Sequence, residues 1–116
     1  MTRTAALPGY EQLAAVLDEA LAQAQAGKGA ERHASASEAF VDQKIVQLCE
    51  WMGSNQGDVF QACKKAIEST RLPHGRARAE LLGAINYLAA ARWIGERIES
   101  VLAGALARVT ARRGGR

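Results

Sequence analysis

The sequence is poor in the residues that build reactive or metal-bound centres. Its 116 residues include two cysteines, Cys49 and Cys63, which form no CxxC pair, so the spacing indicates neither a disulfide framework nor a zinc ribbon. Both cysteines fall inside predicted helices, where we expect two buried, reduced thiols. The two histidines, His33 and His74, lie in predicted loops. Because a zinc site would need further ligands beside them, we expect no metal and no cofactor.

Segments that bind nucleotides or enter membranes are also missing. Neither GxxxxGK followed by Ser or Thr nor GxGxxG occurs, so no phosphate-binding loop of either kind is predicted. No apolar run approaches the roughly 20 residues that a membrane-spanning helix needs. The first residues, MTRTAALPG, lack the apolar core of a signal peptide. We therefore expect a cytoplasmic protein with no membrane partner.

Proline and strand-forming patterns are scarce, whereas alanine is abundant. Proline occurs only at Pro8 and Pro73, alanine occurs 24 times, and strand formers never alternate over more than a few positions. This composition predicts an all-α protein. The length is that of a single domain over residues 1–116, and we expect flexible ends at residues 1–8 and 111–116.

Four helices are predicted, with boundaries set by glycine, proline and capping residues. They span about residues 10–26, 38–52, 58–70 and 76–110. The second and third are joined by a tight turn, which predicts an antiparallel helical hairpin (about 38–70). We expect this hairpin to pack on the long C-terminal helix (about 76–110), which gives a small four-helix domain.

Apolar spacing predicts which helical faces are buried. The stripe of the first helix includes Leu13, Leu17 and Leu21. Asp58 is predicted as the N-cap of the third helix, because its side chain can accept hydrogen bonds from the first turn. The third helix is expected to bury four residues: Val59, Cys63, Ala66 and Ile67.

The stretch Glu80–Gly95 is almost entirely apolar or small, and we expect it to form the central helix. Its alanines let another helix approach the backbone closely, and Leu81 and Leu88 fall on the predicted inner face. Asn86 lies inside this stretch, where burying an amide costs about 1–3 kcal/mol unless it is hydrogen-bonded. We expect a neighbouring helix or loop to satisfy it, with Gln43 or the region around Arg32 and His33 as candidates; a dimer seam is the alternative.

The C-terminal helix is too long for a compact domain of this size. Its 35 predicted residues would span about 52 Å, whereas such a domain has a radius of gyration of about 13 Å. Either the helix is kinked near Gly95 or Gly104, or its second half leaves the domain. A protruding apolar stripe would need a partner, most simply a second copy, so we expect a monomer or a homodimer.

Charge is distributed unevenly along the chain. Residues 1–58 contain eight acids and four bases, a balance of −4, whereas residues 59–116 contain four acids and eleven bases, a balance of +7. Five bases lie on the two sides of the break at residues 72–75, and we expect them to form one positive patch: Lys64, Lys65, Arg71, Arg76 and Arg78. Arg32 and His33, in the predicted loop over residues 28–37, complete the candidate partner-binding residues.

Catalysis is not favoured by the pattern of acidic residues. Helical nucleotide pyrophosphohydrolases hold magnesium with carboxylates on facing helices, and here Glu96 and Glu99 could share a face. No second close carboxylate set is evident, and Arg92 and Arg97 predict solvated ion pairs instead. The basic patch leaves two interpretations open. One is a small nucleic-acid-binding protein, either monomeric or dimeric through the C-terminal helix. The other is a protein that binds an acidic groove of a partner protein.

Four segments together resemble small helical proteins encoded by bacterial phages and prophages. They are ERHA (Glu31–Ala34), FVDQ (Phe40–Gln43), QACKKAIES (Gln61–Ser69) and ELLGAINYLAAA (Glu80–Ala91). Some phage proteins of this size are anti-CRISPR or other anti-defence inhibitors. The resemblance implies a non-enzymatic inhibitor in the cytoplasm of a bacterial host. Such an inhibitor would dock on a host protein or ribonucleoprotein, such as a type I CRISPR surveillance complex, and block DNA binding.

Overall fold

The protein is all-α, as predicted, in the residues that the computed structural model describes: 4–26, 40 and 43–114. No strand occurs within these residues. The helices of this part of the chain are α1 Glu11–Ala26, α2 Lys44–Met52, α3 Gln56–Ser69 and α4 His74–Gly114. The long C-terminal helix is present as α4, and at 41 residues it begins earlier and ends later than its apolar pattern indicated.

Backbone-specific residues set the ends of the helices. Gly53 adopts a left-handed conformation (φ 70°) after α2, and its N–H donates to the carbonyls of Cys49 and Glu50. A residue with a Cβ is strained in this region, which explains why glycine ends the helix here. Pro73 separates α3 from α4, and its carbonyl accepts the N–H of Ala77 at 2.8 Å as α4 begins.

The second helix begins at Lys44 rather than near residue 38. Gln43 is extended (φ −65°, ψ 147°), so regular helical geometry cannot pass through it. Its carbonyl accepts the N–H groups of Val46 and Gln47, as that of an N-cap residue does. Phe40 lies in a separate turn, and its carbonyl accepts the N–H of Gln43 at 3.2 Å. The predicted start of the helix falls on residues outside the described part of the chain.

All the other described helices contact α4. The most extensive contact is with α3, and α1 and α2 cover smaller parts of it. Where α2 meets α4, the buried apolar cluster consists of Val46, Cys49, Ala90 and Ile94, and Phe40 and Ile98 pack against it. Within this cluster Val46 and Ile94 have no solvent exposure. The core is therefore small and is centred on the middle of α4.

Small residues let α3 lie close to α4. On α3, Ala62 is buried at the contact. A Cβ added to Gly83 would lie 3.1 Å from Cδ of Lys65, and one added to Gly95 would lie 3.3 Å from Nδ2 of Asn55. Because these neighbours occupy the space that a side chain would need, both positions favour glycine. The close helix approach expected for the small-residue stretch is what the structure shows, but Leu81 and Leu88, predicted on its inner face, are exposed by 47% and 52%.

The buried face of α3 is not the one that apolar spacing predicts. Its buried residues are Asp58, Ala62 and Ser69. Asp58 is not the N-cap, because the helix begins at Gln56 with Asn55 in the N-cap position. Of the predicted core residues, only Ala66 is partly covered, whereas three are exposed: Val59, Cys63 and Ile67. The expectation of two buried thiols therefore fails for Cys63, while Cys49 is buried and both are reduced.

The helix α1 is held on α4 by a small number of contacts. Ala20 is its one fully buried residue, and its carbonyl accepts a hydrogen bond from the Asn86 side chain at 2.9 Å. The Gln23 side chain donates to the carbonyl of Ala79 at 3.3 Å, which orients the two helices antiparallel. The predicted leucine stripe is exposed instead of buried: Leu13 by 56%, Leu17 by 47% and Leu21 by 44%.

The bond between Asn86 and α1 predicts a measurable local effect. The neighbouring-helix interpretation of Asn86 is confirmed, although its partner is the Ala20 carbonyl rather than Gln43. We expect Asn86→Ala to lower the free energy of unfolding by about 1 kcal/mol. Amide hydrogen exchange should rise mainly in α1, because this bond is one of its few attachments. Gln25→Ala, on the exposed side of α1, is the control, and equal exchange in both variants would contradict the prediction.

The second half of α4 leaves the domain. The molecule measures 65 × 34 × 29 Å, and its radius of gyration is 17.8 Å, compared with about 13 Å for a compact domain of this size. The helix is continuous from His74 to Gly114, so the alternative in which the second half protrudes describes the molecule. No helix of the described chain combines the length and apolar character needed to cross a bilayer.

Candidate functional site

Three of the predicted partner-binding cations are exposed and available. The break at residues 72–75 joins the end of α3 to the start of α4, as expected. Lys64, Arg71 and Arg76 are exposed there, and none of them has an ion pair within the described part of the chain. Arg32 and His33 lie outside the described residues.

The other two predicted cations contact carboxylates of the same chain. The Lys65 ammonium lies 3.3 Å from Glu80, and it also lies 5.8 Å from the centroid of the Tyr87 ring. Arg78 lies 3.2 Å from Glu19 on α1. Lys65 therefore holds α3 on α4, and Arg78 links α4 to α1. The positive surface near the break is smaller than the sequence indicated and is centred on the other three cations.

The exposed side of α3 combines apolar and cationic side chains. We call Phe60, Cys63, Lys64, Ile67 and Arg71 the α3 outer face. The first four recur at three- and four-residue steps, the spacing of one helical face, and Arg71 follows in the turn beyond the helix. Phe60 is 63% exposed and Ile67 is 59% exposed. Large apolar side chains are thus presented to solvent by a helix whose opposite side is packed on α4.

Further large apolar side chains lie at the end of α2. Trp51 is 85% exposed and Met52 is 71% exposed. They occupy the last positions of α2, and only three residues separate this helix from α3. A tryptophan this exposed costs solvation free energy that a binding partner would recover, and aromatic residues are enriched at binding hot spots.

The acidic residues considered for magnesium binding are not brought together. Glu96 pairs with Arg92 at 3.0 Å across one helical turn, as predicted. Arg97 pairs instead with Glu50 of α2 at 3.0 Å. No group of three or more His, Cys, Asp or Glu side chains that could hold a metal ion occurs in the described residues. The geometry of this part of the chain therefore offers no support for the metal-dependent hydrolase alternative.

Asp58 and Cys49 are two neighbouring ionisable groups with perturbed pKa values. Asp58 is fully buried, and no hydrogen bond of ordinary geometry reaches either carboxylate oxygen from the described residues, although the Cys49 thiol lies close enough to interact with the carboxylate. Burial raises the pKa of Asp58, and the neighbouring Cys49 thiol offsets part of this rise. Burial also raises the pKa of Cys49, with a further contribution from the Asp58 charge. Neither group is accessible to a substrate, so the pair bears on stability rather than on chemistry.

One groove lies between α1 and the start of α4. It has a volume of about 370 Å³ and is lined by residues that include Glu19, Gln23, Arg78 and Leu82. Its charged and polar side chains are already engaged, because Glu19 pairs with Arg78 and Gln23 donates to a backbone carbonyl. A ligand in this groove would find no unpartnered polar group among these three residues, so the groove is a weak candidate for a binding site.

The fold and the α3 outer face together define a class of protein. It is a small all-α protein that presents apolar and cationic side chains on one helix. Comparison with protein-family models, with curated proteins and with solved structures finds no match to the chain. The geometry of the surface is therefore the basis for assigning a function.

Proposed function

We propose that the protein is a non-enzymatic binding protein that docks the α3 outer face into an apolar groove of a partner protein. The observation that carries the proposal is the exposure of Phe60 and Ile67, 63% and 59%, on a helix whose opposite side packs on α4. Cys63, on the same helical face between them, is also exposed, and apolar side chains grouped on one face mark interaction surfaces in soluble proteins. The face belongs to an already folded helix, so binding does not have to order it.

The spacing of the α3 outer face fits recognition of a helix by a groove. Phe60, Cys63, Lys64 and Ile67 stand at i, i+3, i+4 and i+7, the positions that anchor an amphipathic helix in a hydrophobic groove. Fully burying a Phe or Ile side chain contributes about 1.5–3 kcal/mol. Two such anchors therefore supply enough free energy to dominate a small interface.

The cations on this face specify the chemistry of the partner. Lys64 lies between the apolar anchors and Arg71 lies just beyond them, and both are exposed without an ion pair in the described chain. A groove rimmed by Asp or Glu would complement them, and such complementarity increases association rates and selects between partners. The proposed partner surface is thus an apolar groove with an acidic rim.

The phage-like sequence pattern extends this proposal to a class of partner. We propose that the groove belongs to a host defence complex in the bacterial cytoplasm, with a type I CRISPR surveillance complex as the first candidate. Occupation of a protein surface on that complex would block its binding to DNA. This extension is supported only by the resemblance, whereas the docking face is supported by the geometry of α3.

A paired substitution tests both parts of the proposal. Phe60→Asp with Ile67→Asp places two charges on the α3 outer face without touching the core. We expect the unaltered protein to bind a purified type I surveillance complex and to reduce its DNA binding in a mobility-shift assay. The paired variant should bind roughly 100- to 1000-fold more weakly, since each lost anchor costs about 2 kcal/mol. Leu81→Asp with Leu88→Asp, at two other exposed leucines, is the matched control and should bind normally.

The two parts fail separately. A surveillance complex that neither binds the protein nor loses DNA binding would remove the CRISPR version. The docking face is tested in host cells with a photo-crosslinking residue at position 67 and, for comparison, at position 81. Recovery of one defined protein from position 67 alone supports the proposal. Equal crosslinking from both positions, or none from either, would overturn it.

Nucleic-acid binding is the second candidate function, because Lys64, Arg71 and Arg76 are exposed cations near one another in the chain. Such binding would weaken steeply with salt, since each phosphate contact releases a counterion. It would also respond to Lys64→Glu with Arg71→Glu but not to the apolar substitutions. Duplex binding with this behaviour would favour the nucleic-acid candidate over protein docking.

A further inference from the structure

The protruding half of α4, residues 98–113, presents a continuous apolar stripe to solvent. Its large side chains are exposed: Val101 by 61%, Leu102 by 64%, Leu106 by 68% and Val109 by 48%. Together with Ile98 and Ala105 they recur at three- and four-residue steps, the spacing of a helix-pairing seam. A stripe of this kind on a helix that extends away from its own domain needs a second surface to cover it.

This stripe continues the buried face of the same helix. Ala90 and Ile94 are buried beneath α2, and Ile98 packs against the edge of that cluster. The next positions in the same row are Val101 and Ala105, where no other described helix covers α4. The face of α4 that α2 covers at Ala90 and Ile94 is therefore not covered by another described helix beyond residue 98. Its geometry already suits helix packing.

Charges on the protruding half favour one orientation of a second helix. Glu99 lies at its beginning, whereas Arg108, Arg112 and Arg113 lie near its end, and none has an ion pair in the described chain. Two parallel copies would place like charges side by side. Two antiparallel copies place the arginine-containing end of each helix beside the Glu99 end of the other, and they also oppose the two helix dipoles.

We propose that two copies of the chain pair through the protruding halves of α4 as an antiparallel homodimer. Helical spacing puts Glu99 and Arg113 on the same flank of the apolar stripe. Pairing Glu99 with Arg113 of the partner subunit places the two-fold axis close to Leu106. The overlapping helices are then about 25 Å long, and the body of each domain lies beyond the end of the other helix. The dimer is therefore free of overlap between domains.

The small overlap sets the expected strength of association. A stable interface usually buries about 800 Å² on each partner, and a single pair of helices that overlap over only about 25 Å forms a small interface. We expect dissociation in the micromolar range, with dimers dominant above roughly 100 µM. The inference does not depend on the α3 outer face, so failure of either proposal leaves the other intact.

Sedimentation equilibrium of the full chain between about 1 and 500 µM tests the dimer. We expect Leu102→Asp with Leu106→Asp to weaken association at least 100-fold and leave a monomer. Leu81→Asp with Leu88→Asp, exposed leucines outside the protruding half, should leave the dimer unchanged. Circular dichroism verifies that each variant is folded, and Val109→Asp tests the same stripe if the paired variant unfolds. A monomeric unaltered protein at the highest concentration would overturn the proposal.

Charge reversal tests the orientation. Glu99→Arg and Arg113→Glu should each weaken the dimer several-fold, and the double variant should restore association, because the exchanged charges again lie opposite each other. Small-angle scattering gives an independent readout. The antiparallel dimer should be roughly 105 Å long, whereas a parallel one stays near the 65 Å of the protomer. A double variant that remains monomeric, or a dimer no longer than the protomer, would overturn the antiparallel arrangement.

Discussion

Ile94→Ala is expected to lower the free energy of unfolding by about 2–5 kcal/mol. Ile94 has no solvent exposure and forms the apolar cluster with Val46, Cys49 and Ala90. Removal of its methyl and methylene groups loses their transfer free energy and leaves a cavity in the middle of the core. The surrounding side chains are mostly small, so they cannot fill that cavity by changing rotamer. Since domains have a total stability of only about 5–15 kcal/mol, this loss is a large fraction.

Urea denaturation followed by circular dichroism measures the effect, at a protein concentration below that of dimer formation. Ile94→Val should cost about 1 kcal/mol, which places it between the unaltered protein and the alanine variant. Leu88→Ala is the matched control on the same helix, because Leu88 is 52% exposed and should cost less than about 1 kcal/mol. Equal losses at positions 88 and 94 would mean that α4 is buried on a different face.

The helical architecture could be predicted because it depends on local signals. Alanine content, the glycine after α2 and the proline before α4 each act within a few residues of where they stand. The sequence also predicted that the last helix is too long for the domain, since a straight helix of 35 or more residues cannot fit inside a small domain. The start of α2 was missed because Gln43 carries no obvious capping signal, and its side chain makes no capping bond in the structure.

The orientation of α3 could not be read from its own residues. Apolar spacing assigns Val59 and Ile67 to the core, because burying large apolar side chains normally gains the most free energy. The partner surface on α4 instead presents Gly83, Ala84 and Ala91, which leave little depth for a large side chain. Ala62 fits there, so α3 packs through its small residues. The choice between the two faces depends on the shape of a segment that lies some 20 residues away in sequence.

The candidate site depended on the same long-range information. Lys65 and Arg78 are near the other bases in sequence, but each meets a carboxylate that tertiary packing supplies, Glu80 and Glu19. Lys64, Arg71 and Arg76 have no such neighbour among the described residues. Sequence proximity could indicate a positive region without separating structural cations from exposed ones. The exposure of the apolar residues on the α3 outer face could not be predicted for the same reason, because the shape of α4 decides which face of α3 is buried.

The inward face of α3 also explains why Asp58 is the most unfavourably placed charge in the core. It lies in the first turn of α3, fully buried, with no hydrogen bond of ordinary geometry to either oxygen in the described chain. Loss of hydration raises the pKa of its carboxyl above the usual value. The folded protein therefore binds this proton more tightly than the unfolded chain, in which the pKa of Asp is about 3.9.

Asp58→Asn is consequently expected to change how stability depends on pH. Because the folded state binds the proton more tightly, its stabilising contribution is full below about pH 4. It is lost as the pH rises through the raised pKa of the folded state, at up to about 1.4 kcal/mol per pH unit. Asparagine has nearly the same shape and carries no charge, so this loss should disappear. At pH 7 the variant should exceed the unaltered protein by about 1 kcal/mol or more.

Between pH 4 and pH 8 the difference between the two unfolding curves reports mainly on Asp58, because every other ionisable residue is present in both proteins and the Cys49 thiol, whose pKa is raised, ionises above this range. Free energies of unfolding measured by urea denaturation from pH 4 to pH 8 should diverge as the pH rises, with the asparagine variant the more stable at the upper end. A constant difference across this range would show that the Asp58 carboxyl titrates alike in the folded and unfolded chains. A variant that becomes relatively less stable as the pH rises would mean that the carboxylate is stabilised where it lies, which contradicts its burial without hydrogen bonds of ordinary geometry.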